Sequence, residues 1–163
     1  MRVLGFDPGT ATTGYGVVEG KGTRLIHIAH GTITTPPGMH FAERLRIVHD
    51  EATALFEQYH PDAVAIEKLY FARNVTTGLK VAEARGVIAL AAAIYRGPIG
   101  EFSPLEVKNA VVGYGKATKR QVQEMVKILL NLEALPKPDD AADALALAIC
   151  QIHAGKITAA LKP

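Results

Sequence analysis

The sequence predicts an α/β protein with a five-stranded mixed sheet and helices on both faces. Residues 1–34 contain three apolar segments joined by short glycine-rich turns, a pattern that favours an antiparallel meander. The following residues alternate helical and extended patterns, which is typical of parallel crossovers. A chain of 163 residues with 48% hydrophobic and 21% charged content fits one globular domain, which we expect to span residues 1–163.

The meander should consist of strands at 3–6, 14–18 and 24–34. Pro8 and Gly9 end the first strand. The residue before a proline favours extended geometry, so Asp7 should still lie on that strand and be held at the rim of the sheet.

The rest of the chain supplies five helices and two more strands. Capping boxes at Ser103 and Thr118 mark the third and fourth helices, and Gly155 should end the last helix. The predicted helices are 41–59, 77–95, one from Ser103, one from Thr118 to about 130, and about 140–153; the strands are 63–66 and 99–102, with a loop at 69–77.

Acidic residues stand at the ends of several of these elements. Glu67 follows the apolar strand 63–66 directly, although a solvated strand end would also explain it. On the last helix, Asp140 and Asp143 share a face, but so do Asp139 and Asp143, and the spacing leaves both pairs open. Capping accounts equally well for an aspartate at a helix start. Asp143 is different because its alanine- and leucine-rich surroundings should be buried.

These acids could meet Asp7, itself either a turn cap or a site residue, at one edge of the sheet. Carboxylate oxygens suit Mg²⁺ or Mn²⁺. Two such ions could clamp the attacking and leaving oxygens of a phosphodiester.

At this point the sequence resembles the RuvC family of bacterial Holliday junction resolvases over essentially its whole length, with motifs in the family's order. The resemblance implies a ribonuclease H-like fold and a homodimer that nicks two opposing strands of four-way junction DNA symmetrically. It also implies the branch-migration proteins RuvA and RuvB as partners. The motifs are Gly5–Thr10 with Thr13–Gly16, Ile66-Glu67 before an aromatic loop, Ala84-Arg85-Gly86, and Asp140–Ala146.

Carried over by position, the catalytic residues and metal ligands are Asp7, Glu67, Asp140 and Asp143, which selects Asp140 over Asp139. The implied cofactor is Mg²⁺, two ions per active site, with Mn²⁺ able to substitute.

Several residues acquire candidate roles in DNA binding from this resemblance. Tyr70 or Phe71, in the loop after Glu67, could stack on an unpaired base, although such rings are often tucked into the core. Lys108 and Lys119 match lysines of the family. Further positive charge comes from Arg73, Lys116 and Arg120, any of which could be ordinary solvated surface. Because the net charge is only +2, a DNA surface would have to be local.

Three other functions compete with this one. A phosphotransferase of the actin and sugar-kinase superfamily shares the fold and a similar turn, but needs a second lobe. A non-catalytic junction-binding module would lack the acids, and all four are present. A nuclease for RNA or RNA–DNA hybrids differs only in substrate.

The sequence also bears on the compartment. The single Cys150 permits no intramolecular disulfide, which suggests a reducing compartment, and we expect the cytoplasm. The apolar run 86–95 is too short to span a bilayer, so no membrane association is expected.

Overall fold

The computed structural model describes residues 1–69 and 75–160, and the side chains of 1–69 and 78–155. The elements are β1 (Arg2–Asp7), β2 (Thr12–Lys21), β3 (Arg24–Thr34), α1 (Phe41–Tyr59), β4 (Ala63–Glu67), α2 (Val75–Tyr95), β5 (Ile99–Phe102), α3 (Pro104–Val112), α4 (Lys119–Leu129) and α5 (Asp139–Ala160).

The five strands form one mixed sheet in the order β3-β2-β1-β4-β5. β1, β2 and β3 pair antiparallel as a meander, whereas β4 pairs parallel to β1 and β5 pairs parallel to β4. β1 therefore lies at the centre of the sheet, and the predicted fold class is confirmed. Each parallel pair is connected through a helix, as parallel strands require.

Alternation along the strands divides the core into two layers. Leu4 and Phe6 of β1 pack with α1 and α2 on one face, where the strands carry large side chains. Val3 of β1 and Ala65 of β4 pack with α3, α4 and α5 on the other. On this second face β1 and the neighbouring β4 carry mainly glycine, alanine and valine. Small strand residues let a helix approach closely, and α5 lies there.

Most predicted boundaries agree with the structure, and three elements differ by two or more residues. β2 spans Thr12–Lys21 and is longer than the predicted 14–18. α2 begins at Val75, two residues before the predicted start, which shortens the predicted loop 69–77. α5 continues to Ala160, so the prediction that Gly155 ends it is wrong. A glycine ends a helix when it adopts a left-handed conformation. Gly155 instead lies within the helix beside the side chain of Met1, where a Cβ would be 3.1 Å from the methionine methyl carbon.

The edge strand β3 contains a bulge. Val17 pairs with Ala29 and Val18 pairs with His27, so Ile28 is an extra residue without a partner in the ladder. The bulge brings His27 and His30 to one face, where His27 Nε2 lies 2.8 Å from His30 Nδ1. Burial lowers the pKa of both histidines, which favours the unprotonated ring nitrogen that accepts this hydrogen bond.

Within the described residues, every helix is too short or too polar to cross a bilayer.

Candidate active site

Two of the predicted acids end neighbouring parallel strands. Phe6 of β1 pairs with Ile66 of β4, so the next residue on each strand, Asp7 and Glu67, lies at the same edge of the sheet. Gly5 and Ala65, which lie two positions before these acids, face the side of the sheet on which α5 packs. Because side chains alternate along a strand, both carboxyl groups belong to the α5 side.

A close backbone contact brings the start of α5 to this edge. A Cβ on Gly5 would lie 2.1 Å from the carbonyl oxygen of Ala144, and a Cβ on Gly14 would lie 2.0 Å from that of Asp140. Only glycine permits such an approach, because any side chain would overlap the helix backbone. Gly14 also pairs with Asp7 across β1 and β2. The contact therefore positions the first turns of α5, with Asp140 and Asp143, beside Asp7.

The charges at this edge act strongly on Asp7. Burial, together with the negative charges of Glu67, Asp143 and Asp140, raises the pKa of Asp7 to about 8 against the opposing charge of Lys119. Burial is the largest cause of this shift, and the three neighbouring carboxylates add to it. The four predicted acids are thus near enough to one another to be electrostatically coupled.

The same pattern holds for two of the other acids. Burial raises the pKa of Glu67, with a further contribution from Asp143. Burial also raises the pKa of Asp143 against the opposing hydrogen bond from Lys119. The common cause is that these carboxyl groups are partly buried and lie close to one another. A bound cation would relieve their mutual repulsion.

Lys119, at the start of α4, is the cation that the structure places among these acids. Its Nζ donates a hydrogen bond of 2.8 Å to Asp143 Oδ2 and lies 3.7 Å from Asp139 Oδ2. Burial alone would lower the pKa of Lys119, but the hydrogen bond and charge of Asp143 outweigh it and raise that pKa. Asp139 also accepts a 3.0 Å hydrogen bond from Gln123 Nε2, so it faces α4.

A cavity of about 170 Å³ opens between these groups. Asp7, Glu67 and Asp143 line it together with Lys108 and Lys119, and its remaining walls are mostly apolar. Three acids and two lysines thus share one cavity. This arrangement combines sites for cations with positive charge for a phosphate.

The donor set fits a hard divalent cation, because carboxylate oxygens are the ligands such ions prefer. As the side chains stand, however, the described part of the chain contains no group of three acidic, histidine or cysteine side chains placed to hold one ion. Like-charged carboxylates repel, and Asp143 is directed to Lys119. Ion binding would therefore require these side chains to turn toward a common point.

The predicted DNA-contacting residues divide into three groups. Lys108 and Lys119 line the cavity beside the acids. Lys116 is exposed next to α4, and Arg120 is exposed but paired at 2.8 Å with Glu124. The remaining three, Tyr70, Phe71 and Arg73, lie outside the described residues.

Arg85 of α2 supports Glu67, a role that spacing did not reveal. Its Nε donates a 3.2 Å hydrogen bond to the carbonyl oxygen of Glu67, and its guanidinium pairs with Glu101 of β5. Arg85 thereby ties the end of β4 to its neighbouring strand. The sequence marks this residue only as part of the Ala84-Arg85-Gly86 motif.

The mixed sheet and its acidic edge define a nuclease of the ribonuclease H-like class. The family model described as crossover junction endodeoxyribonuclease RuvC matches residues 3–151. The chain belongs to the RuvC family.

Similar proteins agree with this assignment. The chain is 50% identical over 162 residues to a RuvC of Syntrophomonas wolfei, covering 99% of this chain and 94% of that one. It is 54% identical over 150 residues to a RuvC of Thermomicrobium roseum, with 92% and 91% covered. Among solved structures, it resembles Thermus thermophilus RuvC in complex with a Holliday junction substrate, with a TM-score of 0.93, 33% identity and coverage of 97% and 96%.

Proposed function

We propose that this protein is a Holliday junction resolvase, an endonuclease that makes paired symmetric nicks in four-way DNA junctions during recombination and repair. The observation that carries the proposal is the cavity in which Asp7, Glu67 and Asp143 meet Lys108 and Lys119 in a member of the RuvC family. Its relatives of near-equal length bear the name crossover junction endodeoxyribonuclease. We take residues 1–163 as a single nuclease domain.

Membership of this family implies dependence on a divalent metal. We propose Mg²⁺, two ions per site with Mn²⁺ as a substitute, held by Asp7, Glu67, Asp140 and Asp143. Bound there, the metal would supply Lewis-acid stabilisation of the phosphodiester oxygens. Burial and the repulsion from Glu67, Asp143 and Asp140 together raise the pKa of Asp7, and the repulsion supports the assignment because a bound cation would relieve it.

The chain's own residues would bind and orient the DNA. Lys108 and Lys119 line the cavity and can hold the non-bridging oxygens of the phosphate to be cut. Lys116 and Arg120 extend the positive charge along α4 and favour the DNA backbone without regard to sequence. We also assign DNA contacts to Tyr70, Phe71 and Arg73, on the family resemblance alone.

We further propose a homodimer formed through α2. One face of α2 is buried in the core through Ile88 and Ala92. On the other, Leu79, Leu90 and Ile94 are 55%, 56% and 66% exposed and lie at helical spacing. Such a stripe suits a twofold contact with its own copy, and a four-way junction offers two equivalent strands to two such sites.

RuvA and RuvB remain expected partners from the resemblance, and the cytoplasm remains the expected compartment.

The proposed function is tested with a synthetic four-way junction, a linear duplex and an RNA–DNA hybrid of the same sequence. With Mg²⁺ or Mn²⁺, we expect paired nicks in the junction only. Ca²⁺ should permit binding without cutting, because its looser coordination positions the phosphate poorly. Asp7→Asn should still bind the junction but not cut it. Equal cutting of the hybrid would favour the other nuclease function, and cutting in excess chelator would refute metal-dependent catalysis.

A further inference from the structure

A second cavity, of about 310 Å³, lies beside the turn that follows Asp7. Residues 9–12 form one wall, and the opposite walls carry Arg44 of α1 and Lys80 of α2. Gly9 lies two residues after Asp7, and two residues span at most about 7 Å. The second cavity is therefore a neighbour of the proposed active site and opens on the other side of the β1–β2 turn.

A chain of hydrogen bonds fixes the walls of this cavity. Arg44 Nε donates to Thr35 Oγ1 at 2.7 Å, and Thr35 Oγ1 donates to the carbonyl oxygen of Thr10 at 2.6 Å. Thr10 Oγ1 in turn donates to the carbonyl oxygen of Lys80 at 2.7 Å. Both threonines are 7% exposed. α1, the end of β3, the turn and α2 are thus held in a fixed arrangement around the two cations.

The positive charges in the cavity are not balanced. Among the side chains that the structure describes, those of residues 1–69 and 78–155, no acidic group pairs with Arg44 or with Lys80, and none lines the cavity. By contrast, Arg46, two residues along α1, pairs with Asp50 at 2.9 Å. The one hydrogen bond of Arg44 uses Nε and leaves its two terminal nitrogens available. A guanidinium fork beside an ammonium group matches the oxygens of a phosphate.

We propose that this cavity binds a backbone phosphate of the DNA strand that is cut, a few nucleotides from the scissile phosphate. The inference rests on the proposed function and adds a second anchor to it. A phosphate held on the far side of the turn fixes the strand in register, so that the scissile phosphate reaches Asp7 in one orientation. The contact carries no sequence information, because phosphates are the same at every position.

The first test is the salt dependence of junction binding in chelator, where no strand is cut. Arg44→Gln with Lys80→Gln should weaken binding and make the slope of log affinity against log salt shallower by about 1. Arg46→Gln is the matched control, because it removes one positive charge from the same helix, and it should leave the slope unchanged. Lys80→Gln alone should weaken binding relative to this control. Since the Lys80 side chain has no protein partner among the described residues, that variant tests the cavity even if the double variant folds poorly.

The second test locates the phosphate. Single uncharged methylphosphonates are placed along the junction strand near the cut. A methylphosphonate at one position should weaken junction binding by the wild-type protein and have no such effect on binding by the double variant. An unchanged salt slope in the double variant, with wild-type cutting intact, overturns this inference and leaves the proposed function standing.

A third measurement separates a DNA phosphate from a free one. Inorganic phosphate is titrated into wild-type protein and the double variant by calorimetry. The double variant could lose phosphate binding while the slope of log junction affinity against log salt stays unchanged. That result would make this a site for a free anion and overturn the DNA assignment. Failure of the wild-type protein to bind or cut junctions would instead refute the proposed function.

Discussion

The carbonyl oxygen of Asp140 occupies the place where a side chain on Gly14 would begin, since a Cβ there would lie only 2.0 Å away. The atoms around it are helix backbone, which cannot turn aside as a flexible side chain can. This contact sets the distance between β2 and the helix that carries two of the proposed metal ligands.

Gly14→Ala should therefore impair the active site as well as the fold. Forcing α5 away from β2 should lower the free energy of unfolding by about 1–3 kcal/mol, measured by urea denaturation. It should also reduce junction cutting at temperatures where the variant remains folded. Gly78→Ala in α2 is the control, because a Cβ there has no atom of the described residues within 4 Å, and the variant should be neutral or slightly stabilising. Cutting at the wild-type rate by Gly14→Ala would show that the close contact does not position the ligands.

The two neighbouring aspartates at the start of α5 provide a matched pair of variants. Loss of a residue that supports a metal ligand costs about 10–100-fold, so Asp140→Asn, which removes a proposed ligand itself, should reduce cutting at least about 100-fold. Asp139→Asn should retain most activity, because Asp139 is exposed and faces Gln123 and Lys119. Single-turnover junction cutting across a Mg²⁺ series measures both. A larger loss of cutting in Asp139→Asn than in Asp140→Asn would identify Asp139 as the metal ligand instead.

The capping box of α3 predicts a loss of stability in acid. Glu106 accepts a hydrogen bond from the backbone N–H of Ser103, and this bond, with further ones from the Ser103 hydroxyl and Lys68, lowers the pKa of Glu106 to about 2. Because the pKa is lower in the folded state, the stabilisation is present above about pH 4.5 and is lost as the pH falls toward 2.

Glu106→Gln preserves the hydrogen-bonding shape of the box without the charge, and should flatten the stability profile over this range. The effect should be no more than about 1 kcal/mol, because the group is partly exposed and screened by water. Urea denaturation between pH 2 and 6 measures it. Identical profiles for the two proteins would mean that the charge of Glu106 adds nothing to stability.

The exposed stripe on α2 predicts the oligomeric state. Leu90→Glu should dissociate the proposed homodimer, since it places a charge at the centre of the apolar contact. Ile128→Glu is the control, because Ile128 is 67% exposed on α4, away from the stripe. Sedimentation velocity should show monomers for the first variant and dimers for the second. A monomeric wild-type protein would remove the dimer from the proposal.

The sequence predicted the mixed sheet and the positions of Asp7 and Glu67 at strand ends, because both follow from local patterns. An apolar run followed by Asp7 or Glu67 indicates a strand end directly. The choice between Asp139 and Asp140 could not be made from spacing, because both pairs fit a helix face. In the structure Asp140 contacts β2 through its backbone and Asp139 faces α4, which supports the proposal that Asp140 is the ligand.

The features that the sequence did not reveal depend on contacts between distant segments. Gly155 lies within α5 and beside Met1, from the other end of the chain. The cavity of Arg44 and Lys80 depends on two buried threonines that join three elements. No window of local sequence contains such information.

The bulge at Ile28 affects how the exposed edge of the sheet could pair with another molecule. β3 is an eleven-residue strand at the border of the sheet, and Ile26 and Ile28 are 37% and 38% exposed there. A flat strand of this kind would recruit the same strand of another molecule and start a fibril. The extra residue interrupts the regular spacing of amide and carbonyl groups, so a second chain cannot dock along its full length.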